Sequence, residues 1–178
     1  MIITDVQPTP NPDAVKVVVH TTLTPDGVAL TADEHPEHPL VKALMLRTSV
    51  RDVFLQGKEI TIVFDSNIAN DGREELRWVG SQIRNLSSDV VLGYDNLSVY
   101  ESDDPTVLLI AEMLEAEVLP FLRSHGGSVR VIAVEGTEVL LRYLGACGGC
   151  PSSMTGTLDA ITTLIQREID PNLRIRLV

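Results

Sequence analysis

Gly145-Ala146-Cys147-Gly148-Gly149-Cys150-Pro151-Ser152-Ser153 lies between two differently patterned stretches, and their patterns decide the fold. Before it, Val129, Val131 and Ala133 alternate with Arg130 and Ile132. Val139, Leu141 and Tyr143 then alternate with Leu140 and Arg142, across the connection Glu135-Gly136-Thr137-Glu138. A period of two on either side of a glycine-containing connection predicts a β-hairpin. After the cysteines, Met154, Leu158, Ile161, Ile165 and Ile169 recur at steps of three and four, which makes one apolar stripe on a helix. Leu173, Ile175 and Leu177 alternate again as a closing strand. Upstream, Val107 to Leu122 is apolar with interspersed glutamates and ends at Arg123-Ser124-His125-Gly126-Gly127. A basic residue followed by glycines is a helix stop, and Pro120 predicts a kink before it. Residues 107–178 therefore read α-β-β-α-β, with the cysteine loop before the second helix. That is an α+β domain, too short for a doubly wound fold.

The first half carries weaker punctuation. Val15 to Val19 is β-branched and follows Thr9-Pro10-Asn11-Pro12, so it reads as a strand. Pro39 to Leu46 has the spacing of a short helix. Val50 to Leu55 and Ile60 to Phe64 flank Gln56-Gly57-Lys58-Glu59, a second hairpin. Leu76, Val79, Ile83 and Leu86 mark a helix over residues 72–86, with Glu74 and Glu75 in the first turn, where they favour the helix dipole. Trp78 stands one residue off that stripe and is expected to be partly buried packing. Tyr100-Glu101-Ser102-Asp103-Asp104-Pro105-Thr106 is acidic and broken by proline. Two small α+β domains are expected, over residues 1–100 and 107–178, with a linker at 101–106.

Charge narrows the function. The chain has 178 residues and a net charge of -11. Residues 1–106 hold 8 basic and 17 acidic side chains, and residues 107–178 hold 6 and 8. Such a chain repels phosphate backbones, so nucleic acid is not an expected partner. The acidic first half is a solvated surface whose charge can steer basic partners, a weak route to recognising client proteins. No apolar run approaches the ~18 residues of a membrane span, and the first residues lack a signal-peptide pattern. The expectation is a soluble, cytoplasmic protein with no membrane partner.

Cys147 and Cys150 are the only cysteines. Three positions apart, they cannot make the long-loop disulfide framework of secreted domains, and in a reducing compartment such a pair points to metal or redox chemistry. Their place before a helix predicts that its positive end lowers the thiol pKa and favours the metal-binding thiolate. Pro151 suits the first helical position, and Ser152 or Ser153 can supply a capping oxygen. Gly148 and Gly149 leave room for a bulky ligand. Structural zinc and iron-sulfur clusters both take four ligands. His20, His35, His38 and His125 lack ligand spacing, so the simplest completion is a second copy of the chain across a twofold axis. Zinc, redox disulfide and cluster chemistry are all compatible with the pair alone. A thioredoxin-like fold needs more chain after its CxxC than the 28 residues that follow Cys150. Zinc between two chains remains open.

Leu119-Pro120, His125-Gly126-Gly127, the hairpin and the nine residues from Gly145 to Ser153 resemble the NifU C-terminal (Nfu-type) domain over residues 107–178. The first half resembles the Nfu N-terminal domain more loosely, through Thr9-Pro10-Asn11-Pro12 and Val50-Arg51-Asp52-Val53-Phe54 ahead of Ile60-Thr61-Ile62-Val63. His125 stands where many relatives have an acidic residue, and Ser49 where a glycine is usual. The resemblance implies a non-enzymatic iron-sulfur cluster scaffold or carrier with no catalytic residues. It implies Cys147 and Cys150 as ligands of a labile 4Fe-4S cluster, or a 2Fe-2S cluster, bridging a homodimer. The implied partners are upstream cluster-assembly proteins and apo-protein clients.

Overall fold

The computed structural model describes residues 1–25, 28–65, 72–86, 102–150 and 153–178. The chain divides into two compact units, Met1–Val99 and Tyr100–Val178. Each has its own apolar core.

The first unit is built on a five-stranded antiparallel sheet in the order β1-β2-β5-β4-β3. Its strands are β1 (Ile3–Pro8), β2 (Ala14–Val19), β3 (Ala29–Thr31), β4 (Val50–Gln56) and β5 (Glu59–Phe64). The expected hairpin is β4–β5, closed by Gln56 opposite Glu59, with Gly57 at φ +57° in the turn. Helices α1 (Pro39–Met45) and α2 (Arg73–Asn85) supply Leu40, Val41, Leu44, Val79 and Ile83 to the core. There they meet Val15, Val17 and Val19 of β2. Arg47 ties the helices together: its Nε reaches Glu75 at 2.8 Å and its Nη2 reaches Glu74 at 3.1 Å. The guanidinium lies 5.4 Å from the centre of the half-buried Trp78 ring.

The start of α1 is pH-sensitive. His38 is fully buried, and its Nδ1 accepts from the Leu40 N–H at 3.2 Å, capping the helix. Burial lowers its pKa, and the charge of His35 adds to this against the pull of Glu37. A folded-state pKa below the unfolded value of ~6.5 means that the cap's contribution is intact above pH ~6.5 and is lost as pH falls through the folded value. Asn at an N-cap accepts the same bond without titrating. Urea unfolding followed by Trp78 fluorescence is therefore expected to weaken between pH 7 and 5 in the natural chain and to stay flatter in His38→Asn. Equal pH slopes in the two chains would refute this role.

The second unit runs α3 (Pro105–Glu117), α4 (Leu119–Ser124), β6 (Gly127–Glu135), β7 (Glu138–Gly145), α5 (Leu158–Glu168) and β8 (Arg174–Leu177). A 3-10 turn, Ala146–Gly149, and a π-helical turn, Ser153–Thr157, come between β7 and α5. The sheet order is β6-β7-β8, with β6 antiparallel and β8 parallel to β7. Val129, Val131, Val139 and Leu141 face a core completed by Ile110 and Leu114 of α3, Leu119 and Leu122 of α4, and Ile161 and Ile165 of α5. This is the expected α-β-β-α-β arrangement with the cysteine loop before its last helix.

Several expectations are corrected. Pro105 does not break the chain within a linker. It opens α3, where a residue without an N–H costs nothing, and the Asp104 carboxylate accepts from the Thr106 N–H at 2.8 Å. The expected helix over residues 107–122 is two helices. Pro120 cannot continue the ladder, so the first ends at Glu117 and the second restarts with Pro120 in its opening turn. In β6 a bulge between Val131 and Ala133 leaves Ile132 40% exposed. The bulge advances the inward face by one residue, so Val134, not Ala133, packs on the core. Helix α5 proper starts at Leu158, four residues after Met154. The expected roles of Pro151 and Ser152, the Ser153 cap, the Met154 side chain, and Tyr100 and Glu101 of the linker lie outside the described residues or side chains.

Candidate functional site

Strand β7 delivers the cysteines by an abrupt backbone turn. Gly145, its last residue, sits at φ +59°, ψ −136°, a conformation open in practice only to glycine. The Ala146–Gly149 turn follows, and the Cys150 N–H reaches the Cys147 carbonyl at 3.4 Å. The Ala146 N–H donates to the Gly126 carbonyl at 3.1 Å, which ties this turn to the one after α4. Gly126 is at φ +75° and ends the helix as its sequence predicts. His125 beside it packs edge-on against Phe121, with ring centres 4.5 Å apart.

Gly127 has a second role that was not read from the sequence. It is buried and pairs with Gly145 across the β6–β7 ladder. A Cβ on it would overlap Cys147 Sγ and lie 2.9 Å from the Cys147 nitrogen and 3.1 Å from its Cβ. Glycine is needed here because the cysteine rests on the backbone itself. Two glycines facing each other at the end of a hairpin, one of them just ahead of the cysteines, were the available signal. Gly148 differs: a Cβ there would meet only the Tyr143 carbonyl oxygen, at 3.6 Å. Gly148 and Gly149 are exposed, and at Gly148 the protein itself does not demand a small residue.

Cys147 and Cys150 keep 5% and 6% of their surface, and neither is in a disulfide. Burial pushes the Cys147 thiol up to about 12, and the nearby Cys150 adds to the effect. Tyr143 is likewise pushed up to about 12, by burial and then by Cys147. The expected lowering by a helix end is thus overturned for Cys147. Its sulfur lies over Gly127 among core residues, and α5 begins only at Leu158, so desolvation of the thiolate outweighs the helix dipole. Among the described residues no group of three or more His, Cys, Asp or Glu side chains is gathered to hold a metal ion. Two thiols alone leave any four-ligand site half made.

The NifU-like domain family matches residues 110–176, and the family described as scaffold protein Nfu/NifU N terminal matches residues 3–70. A protein of Drosophila persimilis named NFU1 iron-sulfur cluster scaffold homolog, mitochondrial, is 26% identical over 182 residues. That match covers 90% of this chain and 59% of that protein. The protein of the same name in Drosophila grimshawi is 27% identical over 168 residues, covering 90% of this chain and 56% of its own length. The chain thus spans less than two thirds of the length of these relatives.

Proposed function

Because this chain belongs to the Nfu/NifU family, an Nfu/NifU N-terminal domain joined to a NifU-like domain, we propose that it is an iron-sulfur cluster scaffold and carrier. It assembles a labile cluster on Cys147 and Cys150 and passes it to apo-proteins. The observation that carries this reading is the cysteine turn: two thiols, that of Cys147 on a glycine-built seat, separated by exposed glycines, in a chain with no other cysteine. A second copy of the chain supplies the other two thiolates of a four-iron cluster across a twofold axis. The cluster is cargo rather than a resident cofactor, and nothing is turned over.

The chain's own residues do three things. Gly145 and the Gly126-Gly127 turn fix where the cysteines leave the sheet. The buried Cys147 holds its proton until iron takes its place, so ligation releases the thiol protons and strengthens as pH rises. Gly148 and Gly149 keep the outer side of the turn clear for the cluster and the second copy. We place the protein in the cytoplasm, where reduced thiols persist. No helix among the described residues is long and apolar enough to cross a membrane.

Reconstitution of the full chain without oxygen, using ferrous iron and sulfide, tests the function. A carrier develops the broad visible absorption of thiolate-to-iron charge transfer and bleaches it on adding an apo-protein acceptor. If the chain bound zinc but no iron and sulfide, or if its thiols only cycled to an internal disulfide, the reading would be wrong.

A further inference from the structure

The sheet of the second unit has two unlike faces. Val129, Val131, Val139, Leu141 and Ile175 point to the helices. By strand alternation Arg130, Arg142, Arg174 and Arg176 share the opposite face, with Glu138 and the buried Leu140 among them. Arg130 lies directly across the ladder from Arg142, and Leu140 lies beside Arg176. Four of the six basic residues of 107–178 thus stand on one surface of a chain whose net charge is -11. The two others are on helices and ion-paired: Arg123 with Glu115 at 2.6 Å and Arg167 with Glu168 at 2.6 Å. The helical side also carries Glu112 and Glu117 of α3 and Asp159 of α5.

We propose that this arginine face is a docking surface for the carboxylate-rich surface of a partner protein. Charge complementarity is the argument. Arg130 and Arg142 stand directly opposite each other in the ladder and concentrate positive charge there. Arg142 and Arg174 are exposed, and Arg176 already holds two carboxylates, Glu138 at 2.9 Å and Glu135 at 3.3 Å, so the face receives carboxylates. All four are arginine, whose planar fork matches carboxylates. Phosphates would meet the same guanidinium groups, so nucleic acid is the competing outcome of the test. Strand β7 runs from this face directly into the cysteine turn, with Arg142 five residues before Cys147, so a docked partner has an edge beside the thiols. Docking does not require the cluster; only the identification of the partner as a cluster recipient rests on the function proposed above.

The test uses the cluster-free full chain and fluorescent oligoglutamate at low salt, with oligothymidylate of equal charge as the phosphate arm. Saturable binding of oligoglutamate is expected, lost on raising salt and weakened about tenfold or more in R142Q/R174Q. R167Q, on α5, should bind like the natural chain. Thermal unfolding checks that the exposed substitutions leave the fold unchanged. The proposal is overturned if the natural chain does not bind oligoglutamate, if R167Q weakens binding as much as the double variant, or if oligothymidylate binds more tightly through the same arginines. None of these outcomes alters iron uptake at Cys147 and Cys150, so failure here is separable from failure of the scaffold reading.

Discussion

Gly127→Val is expected to abolish cluster assembly while leaving the second unit largely folded. A Cβ at this position overlaps Cys147 Sγ and presses on the Cys147 backbone nitrogen at 2.9 Å, so the cysteine must leave its seat before the substituted chain can pack. Overpacking of this kind costs about 1 to 3 kcal/mol. A cluster ligand displaced by an ångström costs much more in binding, because ligation requires the sulfur in place. Gly127→Ala is expected to be intermediate, with iron content down about tenfold, equivalent to ~1.4 kcal/mol. Gly136→Ala is the control. Gly136 also needs a positive φ, +62°, but has open space around it. That change should cost about 1 kcal/mol of stability through backbone strain and leave iron content unchanged. Iron and sulfide analysis beside urea unfolding of the three variants separates the two effects. A Gly127→Val chain that loaded normally would show that Cys147 is not held by this turn.

The second large effect is loss of the cluster in Cys147→Ser and in Cys150→Ser, each with a cost to the empty protein. Each removes one thiolate per chain, and therefore two from a cluster shared by two chains, which leaves too few ligands to retain it. Cys147 and Cys150 are both buried, keeping 5% and 6% of their surface, and Cys147 packs in the apolar core of the second unit. A hydroxyl in place of a buried thiol costs about 1 to 3 kcal/mol, so both variants should unfold at lower urea than the natural chain. Comparison of their denaturation midpoints with that of the natural chain checks this, and unchanged midpoints would remove the thiols from the core.

How far the sequence disclosed this arrangement depends on how regular each segment is. The β6–β7 hairpin, the stripe on α5 and the cysteine pair were legible because apolar side chains recur at the periods of strand and helix. Strands β1 and β3 were not. Ile3-Thr4-Asp5-Val6-Gln7-Pro8 is largely exposed, Ala29–Thr31 has three residues, and both lie at the edges of their sheet, where side chains need not be apolar. Asp104-Pro105 reads as linker because acid and proline mark both linkers and helix starts; the Thr106 N–H donated to Asp104 makes it the start of α3, a few residues after the division of the units at Val99 and Tyr100. The bulge at Ile132 is a single extra residue that alternation cannot reveal. At the candidate site, the two thiols could be named from their spacing, but their environment could not. The proximity of Cys147 to Gly127 joins residues twenty positions apart, and the burial that raises the Cys147 pKa follows from that contact, whereas the sequence offered only the neighbouring helix.

Native mass determination of the anaerobically reconstituted chain, read together with its iron and sulfide content, tests the central claim most directly. The account predicts that filled protein has twice the chain mass, with four irons and four sulfides per pair of chains, and that the empty protein does not need to be paired. A monomer carrying a complete cluster, or a dimer of the same mass that forms without iron and takes up none, would contradict it.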